Sequence, residues 1–342
     1  MAGRILTAVL TFVGIALYYA GAGPLVRWLG RKNPKVLLYH DCAEAELPYL
    51  ADLDCTTSPT KFAEHLDYLQ RYHKVVPLET IVEGAAPPGS VAITFDDGYR
   101  SVYENAFPIL RDRSYPATFY LIADVVGNDD MVWVNELNFA LRAEPAVARE
   151  VIGQHFEIPE DAMPHDIISY CRMNYSTAKM QALLLELRVK TGQPVEKHAR
   201  EARLYVDWDE VAEMEANGMT FGNHTLTHPN MERLTEEEQR HEIFGAHAKL
   251  ALKLRQVHSF AHPFGHRGSK AAEIAKESGS RCSVEVGGAN RTIEPLRIGR
   301  VHLSNQSIPE VFARMEVVEP IKEFLRRRGK SHERAVTSVS AY

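Results

Sequence analysis

The chain has 342 residues and a formal net charge of −6, from 39 Lys and Arg against 45 Asp and Glu. That length suits one large domain, and the mild acidity gives no reason to expect nucleic acid as a partner. Its four cysteines, Cys42, Cys55, Cys171 and Cys282, show no CxxC spacing, which argues against a thiolate metal site. A Cys42–Cys55 disulfide and four buried free thiols both fit the sequence, so the cysteines do not fix the compartment.

Arg4 is followed by an uncharged run from Ile5 to Val26, about the twenty residues that span a bilayer. The run exceeds a usual signal-peptide core, and Tyr18, Tyr19 and Trp28 suit a membrane interface. Residues 1–33 are therefore expected to be a membrane anchor outside the fold; cleavage near Ala20, Gly21 and Ala22, giving a secreted protein, is the alternative. Arg27, Arg31, Lys32 and Lys35 after the run favour a cytoplasmic C-terminal side, although large domains translocate regardless of such charges.

From Val36 the pattern alternates strand and helix. Val36 to His40 reads as a short buried strand, and Ser58 with Pro59 opens a helix with Phe62, Leu66 and Leu69 on its apolar face. Val91 to Phe95 is a second buried strand; Val102, Ala106 and Leu110 line the next helix, and Ala117 to Ile122 is a third strand. Between about Gly127 and Arg203 the rhythm stops, with helix-like stretches such as Met180 to Val189 and no clear strand, so 127–205 is expected to be a helical insertion. It resumes with Asp207 as an N-cap, Gly218 closing that helix, a strand from Met219, and a capping-box pattern at Thr235 and Glu238. Strands at Cys282 to Val286 and Leu296 to Leu303 follow, then a helix near Pro309, and 319–342 is expected to be a basic tail, frayed from about Ser331. Such alternation implies a barrel or a doubly wound sheet.

Three stretches carry chemistry. Asp96 and Asp97 end the second strand in TFDDG, where ligands gather at the carboxyl ends of parallel strands. Adjacent carboxylates repel, so a cation or a proton must take up one charge; a helix cap with Gly98 in the turn is the plainer reading. His224 and His228, in HTLTHP, are four residues apart, a spacing that suits one metal ion, and Pro229 puts them on a loop. Taken alone, two surface histidines would explain them as well. FAHPFG, from Phe260 to Gly265, is the third stretch.

In this order and at these separations, TFDDG, HTxxHP and FAxPFG resemble the polysaccharide deacetylases, the family with the NodB homology domain. The resemblance runs from about Val36 to Val318 and includes LLYH, which looks like the N-terminal YH signature of one subset. It implies an α/β fold, a distorted, incomplete (β/α) barrel over 34–318 with its site at the strand ends. It implies a hydrolase that removes N-acetyl groups from a polysaccharide, with N-acetylglucosamine polymer of the cell envelope the expected substrate, and hence, with the anchor read from the N-terminal run, a cell-membrane protein whose domain is expected outside the cytoplasm. Carried over position by position, Asp97, His224 and His228 match the metal triad and Asp96 the general base. The resemblance further implies the Phe264 backbone N–H as oxyanion donor and His40 as general acid, with His302 in RVHL as the rival acid. Two imidazoles and a carboxylate suit Zn²⁺, and Co²⁺, Ni²⁺ or Fe²⁺ fit the same ligands.

The sequence departs from the family at Ala261, where many members carry an arginine that holds the catalytic aspartate. Arg300 is the expected substitute, with a surface arginine as the alternative. His262 replaces a tyrosine of the subset and either lines the groove or packs. Tyr99, Trp133 and Trp208 are candidates for a sugar platform and equally suit the core. Two other functions are weighed: a non-catalytic glycan-binding protein that keeps the metal, and a non-haem Fe(II) oxygenase, whose ligands usually arise as HxD on an all-β scaffold.

Overall fold

The computed structural model describes residues 2–159, 161–192 and 195–327. Seven parallel strands form the barrel: β1 (Lys35–Tyr39), β2 (Ser90–Phe95), β3 (Thr118–Leu121), β4 (Thr220–Asn223), β5 (Ser259–Ala261), β6 (Cys282–Val286) and β7 (Ile298–His302). Each pairs with the next in sequence, and β7 returns to β1 through Leu37↔Val301, so the ring closes with one strand fewer than an eight-strand barrel. A short strand, Lys74–Val75, also pairs with the start of β2.

Alternation along the strands sorts the side chains into two layers. Val91, Ile93 and Phe95 of β2 belong to the outer core beneath the helices, where Phe95 stacks on Tyr39 at 5.4 Å and on Phe119 at 5.0 Å. Ala92 belongs instead to an inner cluster with Val36, Tyr120, Ala261, Val284 and Ile298, joined by Leu78 and Ile81 of the short helix Leu78–Val82. Room for Tyr120 exists because residue 222 is glycine. A Cβ there would lie 2.5 Å from the Tyr120 ring. Asp96 continues the inward-facing set of Ala92 and Thr94, which places its carboxylate at the mouth of the barrel's lumen.

The expected caps are present. Ser58 accepts from the Lys61 N–H, and Asp207 with Glu210 and Thr235 with Glu238 form capping boxes. Gly218, just past the end of its helix, has φ +87°, the left-handed conformation that favours glycine. Among the described residues the insertion holds five helices, Trp133–Ala143, Pro145–His155, Pro164–Met173, Thr177–Thr191 and Val195–Ala202. It is tied to the barrel by the Tyr99–Tyr205 bridge, and its two ends are held together by Asn128, whose side chain bonds both the N–H and the C=O of Tyr205.

The N-terminal residues form helix Ala2–Tyr19 and a shorter helix, Gly23–Gly30. The first packs on the helical segments Ile308–Phe312 and Ala313–Val318: the Cα hydrogen side of Gly14 faces Ala313, where a Cβ would come within 2.5 Å, and the Tyr18 ring lies 5.6 Å from that of Phe312. Among the described residues no single helix is long and apolar enough to cross a membrane; Ile5–Tyr19 and Gly23–Gly30 qualify only together, bent by 119°. Ile5, Val9, Phe12 and Tyr19, on the side away from Gly14, are exposed, as are Leu25, Trp28 and Leu29. Helical structure continues through residue 318 to 327; the expected fraying from Ser331 lies outside the described residues. All four cysteines are free thiols.

Candidate active site

The carboxyl ends of the strands bring distant residues together. His40 follows β1, Asp96 and Asp97 follow β2, His224 and His228 follow β4, and Phe264 follows β5. All six line one cavity of about 310 Å³.

Asp97, His224 and His228 each offer a ligand atom, and these atoms lie within 4.8 Å of one another. The Asp97 carboxylate is 3.3 Å from His224 Nε2 and 3.5 Å from His228 Nε2. His224 Nδ1 is 2.9 Å from the Ala261 carbonyl, to which it donates, so Nε2 is left with its lone pair toward Asp97. Asp97 Oδ1 is buried with no hydrogen-bond partner. A cation among these three atoms would satisfy an oxygen that nothing in the protein satisfies, so the donor set fits a divalent metal. The backbone is bent to achieve this: φ is +71° at Asp97 and +60° at His228, a region that side chains other than glycine rarely adopt.

Asp96 lies beside the three, its Oδ2 3.7 Å from His224 Nε2, but its hydrogen bonds go to Arg300. Its two carboxylate oxygens each receive a bond from Arg300, from Nη1 and Nη2, both at 2.6 Å, and Nη1 also donates to Thr94 Oγ1 at 3.2 Å. The guanidinium, fully buried, sits over Tyr120 with its carbon 5.5 Å from the ring centre. Burial by itself would raise the Asp96 pKa, but the charge of Arg300, then that of His224, brings it below the ordinary carboxylate value. Burial likewise opposes ionisation of Asp97, and the imidazoles of His224 and His228 beside it overcome that and bring its pKa below the ordinary carboxylate value. His228 is pushed down to about 3, chiefly by burial. His224 moves the other way: burial lowers its pKa, but Asp96 and Asp97 together raise it above the ordinary imidazole value.

His40 and His302 are adjacent, ring centres 5.2 Å apart, but His40 lines the cavity and His302 lies behind it. His262 is buried outside the cavity, packed on Phe260 at 4.9 Å with no partner for either ring nitrogen. Of the aromatic candidates, Tyr99 lines the cavity. Trp133 does not: its indole N–H donates to the His228 carbonyl at 2.9 Å, which fixes the ligand loop from behind. Trp208 is remote from the cavity lining.

Glu242 has no signal in the sequence, and it holds the same loop. Its carboxylate accepts from the N–H groups of Leu226 and Thr227, both at 3.0 Å, and from the Thr227 hydroxyl at 2.7 Å. Asn223 accepts from the Thr225 N–H at 2.8 Å, and the Thr225 hydroxyl accepts from the His228 N–H at 3.0 Å. Only the fold, which packs helix Glu236–Ala251 beside β4, reveals these partners.

A sequence profile described as polysaccharide deacetylase matches residues 83–283. The chain belongs to that family. Its match to the poly-β-1,6-N-acetyl-D-glucosamine N-deacetylase of Staphylococcus aureus is 33% identical over 92 residues, 24% of this chain and 32% of that protein. The chain thus matches about a third or less of the length of such curated relatives. Among solved structures, the Streptococcus pyogenes deacetylase PplD in complex with acetate superposes with a TM-score of 0.55 at 17% identity, covering 83% of this chain and 98% of the other. IcaB from Ammonifex degensii gives 0.54 at 21%, covering 82% and 96%. These superpositions establish a shared deacetylase-type barrel.

Proposed function

We propose that the chain hydrolyses the acetamido group of an N-acetylglucosamine-containing polysaccharide, releasing acetate and leaving a free amine. The observation that carries this reading is the division of labour between two adjacent carboxylates: Asp97 faces His224 and His228 with an unpartnered oxygen, while Asp96, beside them, has both oxygens held by Arg300. The family and the name of the staphylococcal relative support the substrate class.

A divalent cation held by Asp97, His224 and His228, best matched by Zn²⁺, would polarise the amide carbonyl and acidify a water molecule. Asp96 accepts the proton of the attacking water; Arg300 keeps it ionised and fixes its plane. The Phe264 backbone N–H stabilises the developing oxyanion, and φ of +56° at this residue sets the peptide's direction at the cavity wall. His40, the histidine of the pair that reaches the cavity, gives a proton to the departing amine.

We place the protein at a membrane, with the barrel on the extracytoplasmic side where such polymers lie. The exposed apolar stripe of Ile5, Val9, Phe12 and Tyr19, with Leu25, Trp28 and Leu29 and the exposed basic residues Arg31 and Lys32, suits a lipid interface.

The test is acetate release from acetylated chito-oligosaccharides and from poly-β-1,6-N-acetylglucosamine, by wild type and Asp96→Asn, with and without chelator. Release that both chelator and substitution abolish supports the reading. Glycan binding with no acetate from any of these substrates overturns it in favour of a binding protein.

A further inference from the structure

The cavity has two walls of different chemistry. The barrel contributes carboxylates and imidazoles, whereas the facing wall includes helix Pro164–Met173 of the insertion, which carries Arg172. Arg172 is the only Arg or Lys among the described residues that line the cavity. Its Nη2 donates to Ser169 Oγ at 3.3 Å, its buried Nε has no hydrogen-bond partner, and no carboxylate of the described residues lies within ion-pair distance. The acidic residues of the lining are engaged elsewhere: Asp96 with Arg300, Asp97 with the histidines, Asp52 with Arg142 at 2.6 Å, and Asp166 with His165 at 3.3 Å.

A half-buried guanidinium with no counter-charge is unfavourable in the free protein, and burial lowers its pKa accordingly. A ligand that brings the missing anion relieves that cost. The position is suited to it. The Arg172 guanidinium carbon lies 5.3 Å from the centre of the Phe264 ring, and that ring lies 4.4 Å from the ring of His228. One aromatic side chain therefore separates the cation from the proposed reaction centre, and the planar guanidinium presents its donors in a fork that matches carboxylate and phosphate.

We infer that Arg172 selects glycans that bear an anionic group, carboxylate or phosphate, on the sugar that is deacetylated or on its immediate neighbour. This rests on the deacetylase reading above and narrows its substrate. Arg172 is a specificity residue, touching the substituent and leaving the acetamido chemistry to the barrel.

The test uses matched N-acetylglucosamine oligomers: unsubstituted, bearing a 3-O-lactyl carboxylate, bearing the methyl ester of that lactyl group, and bearing a 6-phosphate. The ester has the shape of the acid without its charge. For wild type, kcat/KM for the carboxylate or the phosphate oligomer should exceed that for the neutral ones by about tenfold or more, and Arg172→Met should erase the preference while changing the neutral substrates less than about twofold. Arg172→Lys should restore part of it. The preferred anion, carboxylate or phosphate, identifies the source of the charge. Calorimetric binding of the same oligomers gives a readout independent of turnover. Equal wild-type rates and affinities for acid and ester, or equal losses on charged and neutral oligomers in Arg172→Met, would overturn the inference. Should no oligomer release acetate, the hydrolase reading fails, and binding of the charged oligomers that is lost in Arg172→Met would still sustain the role of Arg172.

Discussion

Arg300 and Asp96, 204 positions apart in the chain, meet edge to edge inside the barrel, each guanidinium Nη 2.6 Å from its own carboxylate oxygen. Removing the arginine leaves a buried carboxylate without its counter-charge, which typically costs about 3–5 kcal/mol. Burial, the largest influence on Asp96, then acts unopposed by Arg300 and raises the carboxyl pKa. Arg300→Met should therefore be markedly less stable in denaturant, and the acid limb of its kcat/KM profile should move to higher pH. An unchanged acid limb would mean that Arg300 does not tune Asp96.

The loop that carries His228 depends on Glu242, which accepts three hydrogen bonds from residues 226 and 227. Glu242→Gln keeps the size of the side chain and turns one acceptor into a donor facing N–H groups. Affinity for Zn²⁺, measured by competition with a chromophoric chelator, should fall about 10- to 100-fold, as for other residues that orient metal ligands. Thermal stabilisation of the wild type by added metal should shrink in parallel. Undiminished affinity would show that the loop holds its shape without the carboxylate.

His302 gives a pH dependence whose sign is fixed by burial. In the folded protein its pKa is pushed down to about 3, first by burial and then by the positive charges of neighbours, including Arg314 and Arg300. The unfolded chain takes up this proton near 6.5, so between those values it binds more protons than the native state. The contribution to stability is complete above pH 6.5 and is lost as pH falls toward 3. Urea unfolding of the metal-free protein at stepped pH should show a steeper acid loss for wild type than for His302→Gln, by about 1.4 kcal/mol per pH unit. Parallel curves would show that His302 is already protonated in the fold.

The exposed stripe on the first helix predicts membrane association that needs no spanning segment. Phe12→Ser with Trp28→Ser removes two of the largest exposed apolar groups without touching the Gly14–Ala313 contact. In flotation with anionic vesicles, wild type should rise with the lipid, and the double variant should remain largely at the bottom. Equal flotation of both proteins, or none of the wild type, would remove this face as the lipid contact.

Much of this was readable from the chain because local rules are local. A β-branched run, an Asp pair and a glycine mark the end of β2; Ser58, Asp207 and Thr235 cap their helices as side-chain chemistry requires. The two histidines gain meaning only beside Asp97, and their order in the chain, through the family resemblance, supplied that link. Arg300 was suggested by the alanine at position 261, a gap in a pattern rather than a property of the arginine itself. Glu242 and Arg172 left no trace, and Trp133 reads as a sugar platform or core residue rather than as a support of the ligand loop, because these roles come from which helix packs against which loop. The N-terminal run was apolar enough to suggest a span, but apolarity does not say whether lipid or protein covers a helix, and one side of this helix is covered by 313–317.

Tyr120 and Arg300 occupy the lumen below Asp96, and Leu78 and Ile81 close it further down. With these side chains in the axis, the proposed acetate and amine products would leave by the mouth at which the sugar arrives, beside the inserted helix that lines the cavity. On that reading the position of helix Pro164–Met173 would bear on turnover as much as the chemistry does: a cross-link that pinned it over the cavity would slow product release with every catalytic group intact.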